Sequence, residues 1–228
     1  MKSARILAMS IAWVVISSSA ISAQDLSRYR EFQLGTNLVA VAQQAGITPE
    51  ARVVHQRPEL IQELTWHAPR SLGSSPPGDS VSKILLSFYN GQLFRIVVSY
   101  ERDRTEGLTV GDVVDALSVR YGPATLSATE ISSSVSRVDN DSDKIVAHWE
   151  DAEHSLNLVR PSYASTFGLV AFSKRLDALA RAASIEAIRL DEQEAPARAI
   201  ERKKKQEDED YARREHARNV NKTAFRPY

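Results

Sequence analysis

ILLSFYNGQLFRIVVSY, residues 84–100, is the stretch that decides the fold. Asn90-Gly91 stands between two apolar runs, and both residues accept the positive φ that a two-residue hairpin turn demands. The spacing predicts strands over residues 84–89 and 93–100. A two-residue turn would pair Phe88 with Leu93 and Ile84 with Val97 on one face, with Leu85, Ile96 and Phe94 on the other. Both faces are apolar. One is expected to pack on helices, and the other to meet the C-terminal helix, a partner or a ligand.

Working outward, the pattern occurs twice. Leu38, Val41, Ala42 and Ala45 recur at i, i+3, i+4 and i+7, as do Val110, Val113, Val114 and Leu117, so each set predicts an amphipathic helix. Thr36 and Thr109 are the expected N-terminal caps, and Gly46 and Gly122 the residues that end each helix. A strand ending in Trp follows each: LIQELTW over residues 60–66 and KIVAHW over residues 144–149. Two more strands complete each unit, residues 155–160 and 167–173 answering those of the hairpin. Leu93/Phe167, Ile96/Val170 and Ser99/Ser173 match at a constant offset of 74. The reading is an α+β domain of two tandem helix-strand-strand-strand units, about 35–103 and 109–173. They form an antiparallel sheet with helices on one face, plus a charged C-terminal helix.

In the two helix stripes and in FYNGQLFRIVV and FGLVAFS, the chain resembles beta-lactamase-inhibitor-like and barrel-assembly-lipoprotein-like tandem helix-three-strand proteins of the cell envelope. As a whole it is similar to exported bacterial proteins. The resemblance implies the tandem fold and an envelope location. The lipidated N-terminal Cys of the lipoproteins is absent here.

Residues 1–23 have the order of a secretory signal. Lys2 and Arg5 precede the apolar run ILAMSIAWVVI, and small residues lead to cleavage after Ala20 or Ala23. The run is too short to span a bilayer, which takes about 20 residues. A periplasmic or secreted protein without a stable membrane anchor is expected. The 228 residues contain no Cys, which excludes disulfides, thiolate metal sites and thiol nucleophiles. With 29 basic and 29 acidic residues, the chain lacks the overall charge that draws a protein to nucleic acid.

Charge is uneven along the chain. Residues 174–228 hold 14 basic and 11 acidic groups, and residues 24–173 hold 13 and 18. Leu176, Leu179, Ala183, Ala187 and Leu190 line one side of a helix expected over residues 174–195. Its Leu-lined side is predicted to cover the open sheet face, leaving Ile185 and Ile188 for a partner. Glu186 and Pro196 interrupt any coiled-coil seam there. Residues 196–228 read as a charged helical or disordered tail with i,i+4 pairs such as Lys203/Glu207 and Glu209/Arg213. Loops are expected at residues 68–80 and 124–143.

Candidate chemistry is sparse. DNDSDKIVAHWE, residues 139–150, places Asp139, Asp141, Asp143 and Glu150 at positions 1, 3, 5 and 12 of a calcium loop. Lys144 stands where such a loop needs Gly. His148 and His154 flank a turn and could hold a transition metal with Glu150 or Glu153. Gly78-Asp79-Ser80 resembles the nucleophile block of a lipase family but lacks a strand before it. No G-x-S-x-G, P-loop or H-E-x-x-H pattern occurs. Trp66 and Trp149, closing equivalent strands, are either core residues or a shared aromatic binding surface. The expected function is a non-enzymatic binding or adaptor protein of the envelope that recognises a protein or peptide, with no cofactor. A calcium- or transition-metal-binding periplasmic protein and an unrecognised hydrolase are the alternatives.

Overall fold

The computed structural model describes residues 25–68, 80–126, 143–161 and 166–226; the proposed signal, Asp139 and Asp141, and most of the two expected loops lie outside them. A two-stranded hairpin, β1 (Arg28–Tyr29) and β2 (Phe32–Gln33), opens the described chain. The first unit follows: α1 (Leu38–Ala45), β3 (Arg52–His55), β4 (Ile61–His67), β5 (Val81–Tyr89) and β6 (Gln92–Tyr100). A short α2 (Arg102–Thr105) leads into the second unit: α3 (Val110–Tyr121), β7 (Thr125–Leu126), β8 (Asp143–Glu150), β9 (His154–Pro161) and β10 (Gly168–Ser173). α4 (Lys174–Ala224) ends the fold.

The duplication is visible in the sheet. Eight antiparallel strands run β3-β4-β5-β6-β10-β9-β8-β7, a palindrome in which each unit contributes four neighbours. The two halves meet where β6 pairs with β10, Ile96 opposite Ala171 and Val97 opposite Val170. The expected α+β class and tandem order therefore hold, with one short edge strand more per unit. The offset of 74 holds at Leu93 and Phe167, which share the main core, and fails beyond them. It matches Ile96 to Val170, yet Ile96 and Val98 enter the same core as Leu169 and Ala171. Side chains alternate along a strand, so Val170 faces the other way; an offset of 73 keeps the faces.

Local chemistry explains the helices. Asn37, not Thr36, caps α1, its side chain accepting from the Ala40 N–H at 2.9 Å, and Gly46 closes it at φ 66°. Thr109 caps α3 in a reciprocal box with Asp112. Val41, Ala42, Val114 and Tyr121 bury against one sheet face, joined by Leu64, Ile84, Leu86, Phe88, Leu93, Leu156 and Leu158. Leu26, Tyr29, Phe32 and Leu34 belong to the same core, so the first hairpin is integral to the body, a role the sequence reading missed.

The β5–β6 hairpin keeps Phe88 opposite Leu93 but then shifts. Ser87 faces Arg95, Leu86 faces Ile96 and Ile84 faces Val98. Phe94 is the extra residue of a bulge, so Phe94 and Arg95 both turn to the second face, and the pairings from Ser87/Arg95 to Lys83/Ser99 move by one before a second shift sets Val81 opposite Tyr100. The expected Ile84/Val97 and Leu85/Ile96 neighbours are corrected accordingly.

α4 covers that second face. Leu176, Ala180 and Ala183 pack with Ile61 and Phe94 in a separate cluster, with Tyr89 and Val54 beside it. Alanines take the central places expected of leucine, and Leu179 is exposed. α4 does not stop at Pro196. It runs 51 residues, about 75 Å at 1.5 Å per residue. Proline lacks an N–H and crowds the preceding turn; across that turn Arg198 donates to the Asp191 carbonyl at 2.8 Å and to its carboxylate at 3.0 Å. Among the described residues no helix is long and apolar enough to cross a membrane.

A tyrosine cluster under the first hairpin gives the fold a pH signature. Burial first, and then neighbouring Tyr29, pushes the Tyr100 hydroxyl far above the ordinary tyrosine value of 10.0; burial also raises Tyr121. A raised folded value means stability that is complete below the unfolded value and lost as pH climbs beyond it. Denaturant midpoints are expected to hold steady up to about pH 10 and to fall above it, with a smaller fall in Tyr100→Phe.

Candidate functional site

Three places answer to the sequence-derived candidates, and the strands decide what each can do. Trp149 is buried: its indole N–H donates to the Gly122 carbonyl at 2.8 Å, and its ring centroid lies 6.4 Å from that of Tyr121. Trp66 packs half-buried on the same core from the other unit. The two tryptophans pack on one core, and Trp149, 3% exposed, is closed to a partner.

The acidic segment is known at its end. Asp139 and Asp141 lie outside the described residues, and Asp143 is placed only as the first residue of β8. Glu150, the twelfth position of the expected loop, accepts from Lys174 Nζ at 2.9 Å. That hydrogen bond and the charge of Lys174 hold the Glu150 carboxyl below its ordinary value. A cation at Glu150 would have to displace Lys174. The histidines are not brought together. His148 stands opposite Asn157 and His154 opposite Ser173, and the alternation that buries Ala147, Trp149, Leu156 and Leu158 in one core sends the two rings to opposite faces. Among the described residues no three His, Asp or Glu side chains gather to hold a metal.

The turn between β8 and β9, the start of α4 and the loop at Gly35 enclose a cleft of about 500 Å³, lined by Gln92, Glu153, His154, Ser173, Lys174 and others. His154 and Ser173 face one another across the ladder, and Asp151 Oδ1 lies 3.4 Å from His154 Nδ1. Carboxylate, imidazole and hydroxyl in this order are the parts of an acyl-transfer site. Each part, however, has other employment. Asp151 Oδ1 accepts the N–H groups of Glu153 at 2.7 Å and His154 at 2.6 Å. Burial alone would raise the Asp151 carboxyl, but those two donors and the His154 ring hold it below its ordinary value. The Ser173 hydroxyl caps α4 by accepting from the Leu176 N–H. Lys174 Nζ closes the turn on the Asp151 carbonyl at 2.7 Å. The cluster ties a hairpin to a helix.

The same helix start carries a buried charge. Asp177, 1% exposed, receives the Arg95 Nε–H at 3.0 Å and the Arg181 Nε–H at 2.7 Å, and both guanidinium groups add a second contact. Arg95 owes its position to the bulge at Phe94, and Arg181 is one turn from Asp177. The i,i+4 pair was open to sequence reading; the partner 82 residues away was not. This clamp sets the rotation of α4, aiming Ile185 and Ile188, 70% and 53% exposed, away from the sheet. Near the end of the docked part, Arg57 grips Glu194 at 3.0 and 2.6 Å. Beyond Pro196, α4 is exposed almost throughout. No protein-family model, curated protein or solved structure matches this chain.

Proposed function

We propose that this is an exported, non-enzymatic adaptor of the cell envelope that recognises a protein or peptide partner through the outward side of α4. The observation that carries the reading is the rotation of α4. Its small residues and buried Asp177 face the sheet, which leaves Ile185 and Ile188, three residues apart, exposed on a rigid scaffold. Paired exposed apolar side chains on a fixed helix are suited to serve as contact residues. The groups of the cleft support the same reading, because hydroxyl, carboxylate and amine are each spent on holding the β8–β9 turn to the helix.

The test is capture from envelope extract by the full chain and by an Ile185→Glu/Ile188→Glu variant. Removing residues 174–228 would be a poor control, since Leu176, Asp177 and Ala180 are part of the body. The double variant is expected to unfold within about 0.5 kcal/mol of the parent, as exposed substitutions do, and to lose a partner that the parent retains. Retention of that partner by both would place recognition elsewhere. Covalent labelling of Ser173 by a fluorophosphonate, with ester hydrolysis abolished in Ser173→Ala, would replace the adaptor reading by a hydrolase.

A further inference from the structure

The exposed part of α4 has a charge sequence with an internal logic. Arg202, Lys203, Lys204 and Lys205 form a basic block, and Glu207, Asp208, Glu209 and Asp210 an acidic one, with Gln206 between them. Two such helices side by side in parallel would set like against like. Laid antiparallel about a two-fold axis at the centre, each basic block lies along the acidic block of the other copy. Residues 197, 200, 204, 207, 211, 214 and 218 recur at alternating intervals of three and four, so they form one stripe down the helix. On that stripe Ile200 is 70% exposed and Tyr211 69% exposed. In the antiparallel arrangement Ile200 falls opposite Tyr211 of the second copy, and Lys204 opposite Glu207.

We propose that two copies of this chain associate through residues 197–214 of α4, antiparallel and two-fold symmetric. Two Ile200–Tyr211 contacts flank two Lys204–Glu207 pairs. Asp210 is held by Arg213, but the other ion pairs these charges make within their own helix are long and solvent-exposed: Lys203 to Glu207 at 3.8 Å and Lys205 to Glu209 at 3.9 Å. Such pairs are worth little and are readily exchanged for contacts across a symmetric interface. Lys204 makes no ion pair among the described residues. The apolar part is small, so the association is weak and dependent on salt. It uses neither Ile185 nor Ile188 and stands apart from the partner proposed above.

Sedimentation equilibrium of the full chain reads it directly. At about 50 mM salt the mass is expected to rise with concentration from 25.3 kDa toward twice that value, and at about 500 mM salt to stay monomeric. A variant with both blocks basic (E207K/D208K/E209K/D210K) and one with both acidic (R202E/K203E/K204E/K205E) should each be monomeric, and an equal mixture should dimerise. Ile200→Ala and Tyr211→Ala keep or improve helix propensity, so their loss of dimer, about tenfold or more in dissociation constant, reports the interface and not a melted arm. The chain has no Cys, which makes orientation readable. A197C mixed with R214C should cross-link, and neither should cross-link alone. A chain monomeric at every concentration in low salt, or A197C cross-linking to itself, overturns the proposal without touching the role of Ile185 and Ile188.

Discussion

Asp177→Ala is expected to destabilise the protein by about 3–5 kcal/mol, read as a fall in the urea midpoint at unchanged slope. The carboxylate is buried between Arg95 and Arg181, and Arg95 is itself only 13% exposed. Removing the acid takes the compensating carboxylate from Arg95 under α4, where the guanidinium cannot lose its charge. The pair as a whole is worth much less than that penalty, because bringing both charges out of water offsets most of their attraction. An Arg95→Leu/Asp177→Leu double variant should therefore recover much of the loss, giving a coupling energy well above 1 kcal/mol in a double-mutant cycle. Equal losses in the single and double variants would show that the cost does not arise from the uncompensated charge of Arg95. The clamp also aims Ile185 and Ile188, so Asp177→Ala should weaken partner capture even at temperatures where the body remains folded.

Phe32→Ala is the second large effect, about 3–5 kcal/mol, the range for truncating a fully buried aromatic ring. Phe32 is completely enclosed, with Leu26, Tyr29 and Leu34 beside it in the main core. The backbone fastens the segment as well: the Gly35 N–H donates to the Leu93 carbonyl at 2.7 Å, and the Leu38 N–H to the Gly91 carbonyl at 3.0 Å. Loss of the ring should lower the midpoint and bring the alkaline transition of Tyr100 to lower pH, since Tyr29 helps enclose that hydroxyl. A change of under 1 kcal/mol would mean that the β1–β2 hairpin docks without contributing to the core.

Much of the architecture was legible where the signal is local. Asn90-Gly91 fixed the central hairpin, Thr109 fixed the start of α3, and the two apolar stripes fixed which side of each helix is buried. The repeat was legible in order but not in register, since matching side chains by type over one strand is blind to which face each occupies. The bulge at Phe94 was illegible for a related reason. Nothing in QLFRIVV marks which residue drops out of the ladder until Arg95 must reach Asp177. The candidate site fared similarly. Ile185 and Ile188 could be set off the apolar stripe of α4 by angle alone, whereas Trp149, His148 and His154 needed the strand pairing to show which way each points.

By itself, then, the chain determined its main helices and strands, the Thr109 cap and the closing glycines, their tandem succession and the two-sided apolar hairpin, because turn chemistry and side-chain periodicity act over a few residues. Tertiary structure decided the bulge, the docking of the β1–β2 hairpin, the alanine-faced seat of α4 and the burial of Asp177. Each of those depends on groups that come within reach only after segments tens of residues apart have folded onto one sheet.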